Sequence, residues 1–285
     1  LIEVNEGMHW SKYNLNYISN DMNLARTIAC QGDEAKISQL LECGADIGDI
    51  VYGYALGGID TKVDAQLKSN PKLIIQAIHG YCRAGNIERV EALVNSTIIS
   101  HLQAKVEGYA IAGNMLQVRA AMASKNKARL LASIVKGAAK GNHPELIESY
   151  ALSTGLRNIA IQYAAISGHI ELVNNLFRSQ GEDDASSASQ SLNLEQKLAI
   201  RHAVSGYARG RHFEQLQDLI AAEPKSTSLC VYELLSDKGS IDGSDLATLF
   251  SCITEDGVNS SLKTCLAAYD ILTEASELKD EIQDP

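Results

Sequence analysis

Few residues of this 285-residue chain stand where they could do chemistry. His79 and Cys82 are three apart, so a helix would carry them on one face, and a thiol beside an imidazole is the start of a nucleophile. No third group that would orient the imidazole is apparent, and Cys82 falls in a slot that a repeating pattern reserves for small core residues. Glu182, Asp183 and Asp184 bring three carboxylates together. Calcium loops need ligands at alternating positions, which this cluster lacks, so a solvated loop is expected. His169 and His212 follow turns, where capping is the expected role and metal ligation is not. There is no GxGxxG after a strand, no Walker loop, no HExxH and no GxSxG. No catalytic residue, metal ligand or cofactor is expected, and the chain is not expected to be an enzyme.

The charges that do show a pattern are basic. Lys125, Lys127, Arg129, Lys136 and Lys140 follow one another with no acid between them, and Arg201, Arg209 and Arg211 lie further along. Two readings are open. The band is a solvated helix face, or it is a strip that meets an acidic partner, a phosphoinositide head group or another copy's acidic C-terminus. Candidate contacts are the residues just before each turn of the repeat and one helical turn earlier. Arg83, Lys136, Lys140, Arg209 and Arg211 are the partner-binding candidates, and Lys136 and Lys140 are expected to face solvent.

These residues must be positioned by a repeat. GYCRAGNIERVEALV at 80–94, GYAIAGNMLQVRAAM at 108–122 and GYARGRHFEQLQDLI at 206–220 are versions of one unit. Anchored on the glycine that ends each first helix, the beat gives Gly32, Gly58, Gly85, Gly113, Gly141 and Gly168, spaced by 26 to 28 residues. The seventh unit has Arg211 where glycine is expected, and Gly210 comes one residue early. Three residues before each anchor sits a small residue: Ala29, Ala55, Cys82, Ala110, Ala138 and Ala165. Five after it sits a branched apolar one: Ile37, Val63, Val90, Val118, Leu146 and Val173. A glycine suits a left-handed helix end, and Asp33, Asn86 and Asn114 after it can cap the next helix. Units of this length are helical hairpins, none of which buries its apolar face alone. Gly53, Gly80, Gly108 and Gly206 fall inside first helices, each followed by a tyrosine: Tyr54, Tyr81, Tyr109 and Tyr207. A mid-helix glycine costs roughly 1 kcal/mol against alanine, so each is expected to make room for a neighbour. The tyrosines then form a ladder between units; the alternative is a tyrosine-lined groove.

YAAISGHIELVNNLF at 163–177 and ACQGDEAKISQLLECGAD at 29–46 resemble the helical part of ankyrin repeats. The resemblance spans about residues 20–222 and is strongest in those two units. It lacks the Thr-Pro-Leu-His turn, and its units are shorter than the usual run of about 33 residues, which argues against projecting β-hairpin fingers. The resemblance implies an all-α solenoid of stacked helix-turn-helix repeats that binds another protein without catalysis. The chain is also similar to repeat regions of effectors from intracellular bacteria, which implies a host protein as partner. The other functional reading is a substrate-recruiting part of a larger effector enzyme whose catalytic domain lies outside this sequence.

The expected order is an N-terminal cap over 1–20 with Trp10, Tyr13 and Tyr17, six hairpins over 21–178, a mobile Ser- and acid-rich insertion over 179–192, a seventh hairpin over 193–222, and an acidic helical C-terminal cap and tail over 223–285. The net charge of −10 is uneven: residues 232–285 hold 12 acids against 3 lysines. That acidity disfavours nucleic acid or lipid as the main ligand, because phosphate binding is driven by basic residues. Cys30, Cys43, Cys82, Cys230, Cys252 and Cys265 form no CxxC pair and read as thiols in a reducing, cytoplasmic compartment, with delivery into a host cell compatible with the effector resemblance. No apolar run approaches the ~18–20 residues of a membrane span. The chain opens LIEVNEGMHW, without a starting Met or a signal pattern, and is expected to be a fragment or a processed form.

Overall fold

The computed structural model describes residues 23–151, 153–178, 193–210, 212–222 and 226. Apart from Ser226, the expected caps over 1–20 and 223–285 lie outside these residues, as do the insertion over 179–192 and Arg211.

All regular structure among the described residues is helical, and it runs in consecutive pairs. The pairs are α1 (Leu24–Gln31) with α2 (Glu34–Glu42), α3 (Ile47–Leu56) with α4 (Asp60–Ser69), α5 (Ile74–Ala84) with α6 (Ile87–Leu93), and α7 (Ile99–Ile111) with α8 (Met115–Met122). They continue as α9 (Lys127–Lys140) with α10 (Pro144–Tyr150), α11 (Thr154–Ile166) with α12 (Ile170–Arg178), and α13 (Leu194–Gly210) with α14 (Leu216–Ala222).

Local chemistry sets these boundaries. Asp33, Asn86 and Asn114 cap the second helices by accepting from the backbone N–H of Lys36, Arg89 and Gln117. At the start of α13, the Gln196 N–H donates to Asn193 Oδ1 at 2.8 Å while the Asn193 N–H donates to Gln196 Oε1 at 3.0 Å. That is the reciprocal box expected from the two side chains. Pro144 opens α10, and Pro71 opens the 3₁₀ turn that leads into α5, where a missing N–H is harmless.

The first helices end in left-handed turns at Gly32, Gly58, Gly85, Gly113 and Gly168, with φ between 68° and 74°. The fifth hairpin corrects the sequence register. Gly141 has a right-handed φ of −86°, and the left-handed residue is Asn142 at φ 59°. Asparagine tolerates that region through its short polar side chain. The Gly141–Asn142 pair therefore matches Gly210–Arg211 in sequence, and the apolar slot five residues on is Ile147, which is buried beside Leu146.

The odd-numbered helices form the spine, each packing along the one before and the one after it, while the even-numbered helices lie mainly against their own partners. Ile37, Val63, Val90, Val118, Val173 and Leu216 anchor those second helices and are all buried. Burying such a side chain fully contributes roughly 1.5–3 kcal/mol. Contact along the spine is steric at its closest points. A Cβ added at Gly108 would lie 2.6 Å from Cβ of Cys82, and one at Gly53, Gly80 or Gly206 would lie 2.5–2.7 Å from Cβ of Ala29, Ala55 or Ala165. The small slot of one hairpin thus receives the glycine of the next. Gly137 belongs to the same series, because its Cβ would meet the Glu107 carbonyl oxygen at 2.3 Å and Ala110 Cβ at 2.9 Å.

Tyr54, Tyr81, Tyr109 and Tyr207 are buried, at most 3% exposed, so they line no groove. Two hydroxyls reach back one hairpin: Tyr54 donates to Glu34 at 3.0 Å and Tyr81 to Asp60 at 2.7 Å. Burial and the facing Glu34 carboxylate push the Tyr54 phenol up to about 12. Ile87 stands in the register that Glu34 and Asp60 occupy, and the buried Tyr109 hydroxyl has no hydrogen-bond partner among the described residues.

Candidate functional site

The site grows from one register of the first helices, six residues before each left-handed turn. That register holds Arg26, Tyr52, His79, Glu107, Lys136 and Gln162, on successive odd helices. Three neighbouring pairs along this register touch. The Arg26 guanidinium lies over the Tyr52 ring at 4.3 Å, Lys136 Nζ is 3.1 Å from Glu107 Oε2, and the Gln162 amide donates to Ser205 Oγ at 3.1 Å.

The centre of the row is Glu107, a buried carboxylate on α7. Lys140 Nζ donates to its Oε1 at 2.8 Å, so two lysines from α9 clamp both oxygens. Gly137 lies between those lysines, and its missing side chain lets α9 come against the α7 backbone at Glu107, so both ammonium groups reach the carboxylate. Burial alone would raise the Glu107 carboxyl, but the charges of Lys140, His79 and Lys136 outweigh it and hold the group below the ordinary carboxylate range. On their other side the lysines meet an aromatic ring, with Lys136 Nζ 5.0 Å and Lys140 Nζ 5.5 Å from the Tyr163 centroid.

Tyr163 occupies the register that holds glycine in hairpins two to five, and in hairpin seven counted from Arg211. Beside this exception lies a groove of about 490 Å³ that spans α5, α7, α9 and α11. Its polar lining includes His79, Gln103, Glu107, Ser133, Lys136 and Tyr163; Ile75 and Ile159 give it apolar surface. A second pocket, of about 320 Å³, opens between α7, α8 and α9 on Leu102, Val106, Ala121 and Leu130. Its lysine, Lys105, is tied to Glu91, so no charge cluster converges there.

The basic band divides in two. Lys125, Lys127 and Arg129 are exposed near the start of α9. Lys136 and Lys140 are not the solvent-facing charges expected from the sequence, because their side chains are only 31% and 20% exposed and both are paired with Glu107. Arg83 is half-buried on α5 and Arg209 is exposed on α13. Glu107 was hidden in the sequence because it lies a whole unit before its partners. The signal that finds it is register, since Glu107 and Lys136 hold the same place in successive hairpins.

His143 makes no side-chain cap to its own second helix. His143, His169 and His212 reach back a unit and place Nε2 at 3.0, 2.9 and 3.2 Å from the carbonyl oxygens of Ile111, Lys140 and Ile166. They satisfy orphan carbonyls at the ends of the preceding first helices. Burial lowers the His212 imidazole below its usual range, against the raising effect of its bond to Ile166. Cys82 is fully buried and donates from Sγ to the Lys105 carbonyl at 3.5 Å, and burial pushes its thiol far up. A reactive thiolate needs the opposite shift. Among the described residues, no group of His, Cys, Asp and Glu could hold a metal ion, and no helix is long and apolar enough to cross a membrane.

Comparisons with protein-family models, curated proteins and solved structures each return no match for this chain.

Proposed function

We propose that the chain is an all-α solenoid of short ankyrin-like hairpins with a helical C-terminal cap, and that it is a non-catalytic scaffold for protein–protein interaction. The observation that carries this reading is the groove across four consecutive first helices, backed by helices locked through glycine-to-small-residue contacts. A preformed surface of that kind loses little freedom on binding, so its contacts turn into affinity with less offset. The clamp of Lys136 and Lys140 on Glu107 keeps the groove wall in one arrangement. Arg83 and Arg209 extend the contact row on either side. On the effector-like reading, the partner is a host protein met in the cytoplasm.

A photo-crosslinking residue at Ser133, in the groove, and another at Leu116, exposed on α8, test the proposal. In an extract of the host cell, the Ser133 position should yield a discrete protein adduct and the Leu116 position should not. Equal labelling from both positions, or none from Ser133, would contradict it.

A further inference from the structure

Resting on the binding reading above, we infer that the groove at Glu107 and Tyr163 takes an acidic, apolar segment of a partner protein, with its carboxylates toward Lys136 at the edge of the clamp and its apolar side chains on Ile75 and Ile159. The charge balance is the first reason. Lys136 lines the groove and Lys140 stands beside it over the Tyr163 ring, so two lysines on one carboxylate leave the clamp one net positive charge, and Glu107 is the one acid among the described lining residues. The second reason is solvation. Lys136 and Lys140 are held in a half-buried setting against an aromatic face, where an incoming carboxylate meets ammonium groups already stripped of part of their water. The Ser133 hydroxyl stands beside them, with one amide N–H each from Gln103 and Gln162 whose other N–H goes to the Arg129 carbonyl oxygen and to Ser205 Oγ, which suits an acceptor-rich guest. The third reason is shape. Where hairpins two to five keep a glycine and close contact, hairpin six carries Tyr163, and the groove opens beside it.

The binding is read by fluorescence anisotropy on the full chain. The probe is a labelled peptide alternating Glu and Leu, with Lys/Leu and Gln/Leu peptides as controls. The Glu/Leu peptide should bind at least about tenfold more tightly than the Lys/Leu peptide. Its affinity should fall as salt rises. Ser133→Trp fills the groove without removing an ion-pair partner and should abolish binding. Ala132→Glu, at an exposed lining position, adds a repelling charge without disturbing the core and should weaken it severalfold. Equal affinity for both peptide charges, no binding of the acidic peptide, or binding untouched by Ala132→Glu would overturn the inference. A peptide of residues 270–285 and vesicles bearing a phosphoinositide complete the set. If either binds at this groove while the Glu/Leu peptide does not, the occupant is the chain's own tail or a membrane, and the inference falls. A Ser133 crosslink to a protein together with an unbound acidic peptide would leave the scaffold reading standing and remove only this one.

Discussion

The interface between α3 and α1 and the interface between α11 and α9 join equivalent helices by different means. At the first, Gly53 sits against Ala29 so closely that a methyl group would lie 2.5 Å from the alanine Cβ and from the Arg26 carbonyl oxygen. At the second, the same register carries Tyr163, whose ring faces two lysines. One contact is backbone against backbone and tolerates nothing added. The other is built from long side chains and leaves a groove beside it. The difference shows how a repeat can hold its stacking rule in most places and leave a groove where the rule is relaxed.

The largest effect should come from the clamp. Changing Lys136 and Lys140 together to Met strands a buried carboxylate, and should cost about 3–5 kcal/mol in urea unfolding. Glu107→Gln in the same background should recover most of that loss, because the buried charge is gone. A double lysine variant as stable as the parent would show that Glu107 does not depend on its partners.

Next come the glycines. Gly108→Ala gains helix propensity yet should lose about 1–3 kcal/mol, since its Cβ would collide with Cys82. Gly155→Ala has nothing within 4 Å of the new methyl and should gain up to about 1 kcal/mol. The same sign for both would remove the steric account of the spine.

Much of this was legible in the sequence. The beat, the small slots, the apolar anchors and the mid-helix glycines followed from spacing alone, because each has a local physical cause. Gly137 was missed because Ala138 follows it where tyrosine follows the others, and because Gly141 drew the anchor away from Asn142. The backward reach of the histidines was missed for a related reason. His143, His169 and His212 hydrogen-bond to carbonyls one unit back, and a local window shows only the helix they precede. The Glu107 clamp was invisible for the same cause: a band with no acid inside it receives its acid from the neighbouring hairpin.

A smaller effect separates two tyrosines. Tyr81→Phe removes a hydroxyl bonded to Asp60 and should cost about 1 kcal/mol. Tyr109→Phe removes an unpaired buried hydroxyl and should be neutral or mildly stabilising. Ile87→Asp, which supplies the missing acid, should make Tyr109→Phe costly.

The pH dependence of the clamp has a defined sign. The Glu107 carboxyl is lowered in the folded protein, so the unfolded chain binds its proton first as acid is added. Its contribution is fully present above the ordinary value of 4.5 and is lost as pH falls from there through the folded value. The acid side of a stability–pH curve should therefore be shallower in Glu107→Gln than in the parent.

The contrast between the two interfaces is tested most directly by measuring unfolding midpoint and Glu/Leu-peptide affinity on Gly53→Ala and Tyr163→Ala side by side. Gly53→Ala should lose about 1–3 kcal/mol of stability and keep the parent's affinity. Tyr163→Ala should lose about tenfold in affinity and less than about 1 kcal/mol in stability. If both variants move the same quantity, the locked and open interfaces are not different in kind, and the account is wrong.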